Sequence, residues 1–312
     1  MIQKSSLIKG LILVVFTALL SLETKAQQDP QYTHYMYNTM SVNAGYAGQR
    51  DVLSATALYR TQWVGIDGAP KTITFGIHSP LRNERIGLGL NIVSDQLGPA
   101  KETNIDLNAS YTIPVDETGD KELSFGLKAG LHSLDVNLSP ENQQTGGDIR
   151  LNDFSITSPT LGAALYLHSD KWYLGASIPN ILSTEHYEDN GVQQSIATER
   201  LHYFLIGGYV FDVSDRTKLK PAFLVKGVSG APLIADLSLN ALFNEKFTLG
   251  LAYRWDDSVS GLAGFQVSPG LFVGYAYDAT TTALNNFNSG THEIMLRFEL
   301  QQIGKILSPR FF

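Results

Sequence analysis

The sequence predicts an all-β protein, an antiparallel transmembrane β-barrel of the outer-membrane type with about fourteen strands. Three observations carry this. Apolar and polar residues alternate through runs of roughly ten residues. These runs come to an even number, and the connections between them alternate between short and long. Composition agrees, with 17% charged residues, 28 glycines and 14 tyrosines. A mean hydropathy of -0.05 is too polar for a bundle of membrane helices.

In chain order, Lys4 and Lys9 precede an apolar run from Leu11 to Leu20, and Thr24 and Ala26 hold the small-residue positions before a cut at Ala26/Gln27. Residues 1–26 therefore read as a cleaved secretory signal, because the run is shorter than the roughly 20 residues a spanning helix needs. Its loss takes the formal charge from -7 to -9, three lysines leaving against one glutamate. That charge disfavours nucleic acid or any other polyanion as a partner. With no cysteine in the chain, disulfides, thiolate metal sites, a cysteine nucleophile and a lipid-modified cysteine are all excluded.

Residues 27–50 are rich in aromatics without alternation. Tyr32, Tyr35, Met36, Tyr37 and Met40 would be poorly placed in open solvent, which predicts a periplasmic or plug segment packed into the barrel or against its rim.

Residues 51–300 form the predicted barrel, with strands near 51–60, 71–79, 85–94, 103–113, 122–132, 159–168, 171–179, 200–211, 217–227, 231–242, 246–254, 258–267, 270–278 and 290–300. Ile105, Leu107, Ala109, Tyr111 and Ile113 would face lipid, and Asn104, Asp106, Asn108, Ser110 and Thr112 the lumen. Ile294, Leu296 and Phe298 alternate with Glu293, Arg297 and Glu299 in the same way.

The short connections are 79–84, 115–121, 169–171, 212–217, 244–246 and 268–270, and the long ones include 133–158, 180–199 and 279–289. Short turns at one end and long loops at the other are the habit of outer-membrane barrels, whose even strand number returns both termini to the periplasm. Tyr59, Tyr111, Trp172, Tyr173, Tyr253, Trp255 and Tyr277 are expected in interfacial girdles, and Gly126, Gly130 and Gly250 in the lumen, relieving crowding. Asp106, Lys128, Asp236, Arg254, Arg297 and Glu299 put both signs of charge on the inner face. Residues 301–312 form a periplasmic tail that could bind a partner, serve assembly or cover the mouth.

Long blocks of the chain resemble a known family. DPQYTHYMYN and NAGYAG, the stretch 59–81, NERIGLGLNIVSDQLGP (83–99), SGTHEIMLRFEL and the terminal SPRFF are similar to the PorP/SprF family of type IX secretion outer-membrane proteins. The family usually has Asn-Pro-Ala before Tyr-Ala-Gly, whereas Asn43-Ala44-Gly45 stands here, so glycine frees a backbone that proline would fix. The resemblance implies a barrel serving secretion or surface attachment of a large cargo protein. Family members in gliding motility pair with a giant adhesin through its C-terminal domain, and some associate with other type IX secretion components in the periplasm.

The residues expected to contact partners are Tyr32, Tyr35 and Tyr37, then Glu185, His186 and Tyr187 in the loop 180–199, and Phe311 and Phe312 at the end. Outer-membrane lipid is the other expected partner. The alternative is a solute channel or a transporter of hydrophobic compounds, since a barrel of this strand number can enclose a lumen. Neither HExxH nor regular His/Asp ligand spacing occurs, and His186 lies in a loop where polar residues are expected. No catalytic, cofactor-binding or metal-binding residue is predicted, and the protein is not expected to be an enzyme.

Overall fold

The computed structural model describes residues 30–137, 153–182, 185–187, 195–198, 201–228 and 231–300. The proposed signal and the tail 301–312 lie outside the described residues.

Alternating sequences here become strands because each can send one face to hydrocarbon and the other inward, provided no edge is left unpaired. The strands are β1 (Ser54–Thr61), β2 (Lys71–Pro80), β3 (Ile86–Leu97), β4 (Ala100–Pro114) and β5 (Glu122–Val136). They continue as β6 (Phe154–His168), β7 (Trp172–Ile178), and β8, which runs His202–Tyr209 and resumes over Phe211–Ser214. The rest are β9 (Thr217–Val228), β10 (Ile234–Phe243), β11 (Phe247–Arg254), β12 (Ser258–Ser268), β13 (Leu271–Thr280) and β14 (Thr291–Glu299). Each pairs antiparallel with its neighbours in the chain, and β1 pairs with β14 from Ser54↔Glu299 to Thr61↔His292. The result is a closed barrel of 14 strands.

The two faces separate as the alternation requires. Leu107 and Leu127 on the outside are 64% and 67% exposed, while Asp106, Asn108 and Ser124 are buried inside. On β14, Ile294, Leu296 and Phe298 point out, and Glu293, Met295, Arg297 and Glu299 are buried in the interior.

Several details depart from the sequence reading. β3 and β4 run on to a tight turn at Gly98-Pro99, where Gly98 adopts φ 56°. β5 and β6 extend to Val136 and back from Phe154, which narrows the expected loop 133–158. The expected loop 180–199 contains a small ladder, Glu185–Tyr187 against Ser195–Thr198.

Pro221 lies inside β9, where proline removes a ladder donor. Its position matches a gap in β8: Gly208 pairs with Ala222 and Phe211 with Leu219 in one register, which sets Tyr209 opposite Pro221, while the Val210 N–H continues the ladder to the other neighbour, β7, donating to the Lys171 carbonyl at 2.7 Å. The gap is the ladder bond that Pro221, lacking an N–H, cannot make.

Tyr173 corrects the girdle expectation. It is 5% exposed, faces inward and stacks on Tyr166 with ring centroids 5.8 Å apart. Tyr59, Tyr111, Tyr253, Trp255 and Tyr277 are exposed on the outside.

Candidate functional site

The interior is occupied by the chain itself. Residues 30–50 form a finger built of turns and two 3-10 segments, Thr39–Ser41 and Ala44–Tyr46, and nearly every residue in it is buried against the inner wall. Alternation is absent from this segment because it is surrounded on all sides.

The first anchor stands at the long-loop end. Arg60 of β1 bridges Asp278 of β13 at 2.8 Å and Glu293 of β14 at 3.0 Å. The finger completes this cluster. Thr33 donates its N–H to Glu293 at 3.0 Å and its hydroxyl to Asp278 at 2.8 Å, and its oxygen accepts from Arg60 Nη1 at 2.9 Å. His34 donates its N–H to Glu293 Oε1 at 2.8 Å, and its Nδ1 lies 2.6 Å from the same oxygen. Buried carboxylates are tolerable only when paired and hydrogen-bonded, and both are so here.

Halfway through the barrel, Tyr35 Oη meets Ser238 Oγ of β10 at 3.0 Å. The ring of Tyr37 takes Lys220 Nζ of β9 4.7 Å from its centroid and packs against Phe272 of β13. Ser177 of β7 donates to the Val42 carbonyl at 2.6 Å, and Asn43 Nδ2 donates to the Leu165 carbonyl of β6 at 3.0 Å.

The last anchor is at the short-turn end. Gly45 lies so close to Gly126 of β5 that a side chain at 126 would strike its backbone nitrogen. A side chain on Gly45 itself would meet Asn43 Oδ1, Tyr166 Cβ and the Ser124 carbonyl at 3.0–3.2 Å, so this glycine serves close approach rather than the backbone freedom expected from NAGYAG, and Asn43 Oδ1 accepts its N–H at 2.9 Å. Tyr46 meets Tyr166 edge to face at 5.5 Å. Ser110 of β4 donates to the Ala47 carbonyl at 2.6 Å, and Gly48 N–H donates to His78 Nδ1 of β2 at 3.1 Å. Gln49 Nε2 donates to Thr112 and Ser124, both at 2.9 Å, and Arg50 pairs with Glu299 of β14.

Ion pairs also brace the wall: Lys128 with Asp106 at 3.1 Å and Arg254 with Asp236 at 2.7 Å. These match the mixed inner charge read from the sequence. A crevice between finger and wall, lined by Met40, Val42, Lys128, Gly162, Ser177 and Pro179, has room for about one water.

Tyr32, Tyr35 and Tyr37 are all buried in this interior, their hydroxyls and rings directed at the wall; Tyr32 Oη lies 2.9 Å from Thr74 Oγ1 of β2. Glu185, His186 and Tyr187 fall on the small ladder, their side chains outside the described residues, as are Phe311 and Phe312. Among the described residues, no group of His, Asp or Glu is arranged to hold a metal ion.

Of the two positions expected for the amino-terminal segment, periplasmic or plug, residues 30–50 take the interior one and reach the mouth opposite the one where β14 finishes. Thr33 and His34 lie at the opposite end, because Arg60, Asp278 and Glu293 are each within three residues of the long-loop ends of their strands. Nothing in the alternation could have given this direction. The carriers Thr33, Arg60 and Asp278 were missed because their signal is a meeting across 245 positions in sequence.

A closed barrel with an apolar exterior and a polar interior defines an outer-membrane barrel protein. The chain belongs to the PorP/SprF family, described as type IX secretion system membrane protein PorP/SprF, whose profile matches residues 24–298. No curated protein matches it.

Among solved structures, the chain is similar to the CymD monoaromatic hydrocarbon channel, with a TM-score of 0.52, 13% identity, and coverage of 85% of this chain and 93% of that one. The Acinetobacter baumannii outer membrane protein Omp33 gives 0.43 at 9% identity over 81% of this chain and 100% of that one. A Pseudomonas aeruginosa FadL homologue gives 0.43 at 12% over 80% and 89%. At such identities the likeness to CymD concerns the barrel fold alone.

Proposed function

We propose that this protein is a non-enzymatic outer-membrane component of type IX secretion that holds a large secreted surface protein, such as a gliding adhesin, at its long-loop face by binding the cargo's C-terminal domain. Its membership of a secretion-system family supplies the context. The observation that favours a scaffold over a channel is the filled interior: the finger is hydrogen-bonded to strands around the wall and anchored at both ends. With the lumen taken, loops and termini are left to meet partners. The long loops, including the ladder bearing Glu185, His186 and Tyr187, are the cargo face, and the tail with Phe311 and Phe312 faces periplasmic components of the machine. Tyr32, Tyr35 and Tyr37 then act by keeping the interior closed.

The test is deletion of residues 180–199. Barrel assembly should persist, while the cargo is released from the cell surface or stranded behind the membrane. Unchanged cargo localisation would count decisively against the cargo face. A gentle-detergent pull-down from the native membrane should recover a large secreted protein. The channel reading predicts steady conductance from the purified protein in a planar bilayer, and the scaffold reading predicts a largely closed barrel.

A further inference from the structure

An even number of strands places the start of β1 and the end of β14 at one mouth, yet the finger leading into β1 runs the height of the barrel. From Arg50 beside Glu299 it rises past Tyr37 to Thr33 and His34, which are held among Arg60, Asp278 and Glu293 at the other mouth. Only Gln27, Gln28 and Asp29 would precede Pro30 in a chain cut at Ala26/Gln27. Three extended residues reach about 10 Å. A return to the first mouth would require crossing an apolar belt about 25 Å tall.

We infer that the finger enters the barrel from the short-turn mouth with its free end leading, that the mature amino terminus emerges at the long-loop mouth, and that removal of the signal is what allows the lumen to be sealed. The inference rests on the reading of residues 1–26 as a signal and deepens the scaffold role by stating when the barrel closes. An uncleaved signal held in the inner membrane would keep the chain's beginning on the short-turn side. The chain would then have to pass up the lumen and down again, but the finger already packs against the inner wall near both mouths and halfway between them. A second pass has no space. Hydrolysis of the Ala26–Gln27 peptide bond by a signal peptidase, consuming one water, frees the end that must lead.

The absence of native cysteine makes single-cysteine labelling specific. One variant carries a cysteine in a short glycine-serine insert between Asp29 and Pro30, and the other is Asp120→Cys in the exposed turn after β4. With a membrane-impermeant maleimide, the amino-terminal cysteine should label on intact cells, and Asp120→Cys only after the outer membrane is permeabilised. A swapped pattern would keep the termini at opposite mouths and overturn instead the assignment of the long loops to the outside. Labelling of both from one side, or an amino-terminal cysteine silent until the protein is unfolded, would overturn the inference.

The sealing step is read with Ser124→Cys, which replaces a fully buried side chain lying under Gln49. It should be inert in the processed barrel and should react at least tenfold faster when Ala26→Leu blocks cleavage. If Ala26→Leu prevents assembly, a folded domain fused before Gln27, too wide for the lumen, should expose Ser124→Cys in the same way. An inert cysteine in an assembled, unprocessed barrel would refute the sealing step whatever the cargo does.

Discussion

Gly126 and Gly261 are both glycines inside strands, but they face different media. A methyl group at Gly126 would strike the backbone of Gly45, while one at Gly261 meets open space on the lipid side. Overpacking of this kind costs about 1–3 kcal/mol. Gly126→Ala should therefore loosen the finger, raising bilayer conductance and lowering the unfolding midpoint, whereas Gly261→Ala should leave both unchanged. Arg60 is a sharper case because it stands between two buried carboxylates. Arg60→Ala leaves Asp278 and Glu293 with only finger donors for their charge, a loss of about 3–5 kcal/mol by comparison with other broken buried pairs. Denaturant titration of the detergent-solubilised protein should show it. By contrast Lys171, a half-exposed turn residue whose amine is held above its ordinary range by the hydrogen bond it donates to Asp212, stands at the solvent boundary. Exposed pairs of that kind contribute little.

At the scale of elements, wall and finger have separate requirements. The wall closes through β1 and β14, and none of its ladders depends on residues 30–50. Deletion of residues 30–50 should leave a barrel that still migrates as a folded, heat-modifiable species in gels. It should conduct where the intact protein is closed. A deletion that prevents barrel assembly altogether would show that finger and wall form as one unit. The gap in β8 at Val210 belongs to the same scale, since it was invisible beside the regular alternation of its neighbours. Pro221 was its one sequence signal, a residue that cannot donate and so marks where the ladder between the two strands must lack a bond.

For the whole molecule the governing fact is the inversion of solvent: hydrocarbon outside, and a polar, chain-filled interior. Leu127→Arg on the outer belt should cost about 2–4 kcal/mol if it lies near the membrane midplane, with less toward either rim. Folding into lipid vesicles at graded denaturant would read that cost. Insensitivity to the substitution would mean that this face does not meet lipid. Exposed leucines on a soluble protein would invite aggregation, but here they are the surface that lipid covers. Embedding in the membrane also explains why Arg60, Lys220 and Glu293 are among the most buried side chains while Leu251 and Leu249 are among the exposed ones.

The sequence by itself determined the wall. A period of two residues, carried by runs such as Ile105 to Ile113 and Leu123 to Leu131, states which face each side chain takes, and the turn spacing states how many strands must close. It also showed that an aromatic segment before β1 needed cover. Only the tertiary structure decided where that cover lies and which way the segment points. The contacts responsible, Thr33 with Asp278, Tyr35 with Ser238 and Arg50 with Glu299, join residues about two hundred or more positions apart. Local periodicity reports on a residue's own strand, whereas the direction of a chain inside a closed barrel is set by partners that come together only after the barrel has formed.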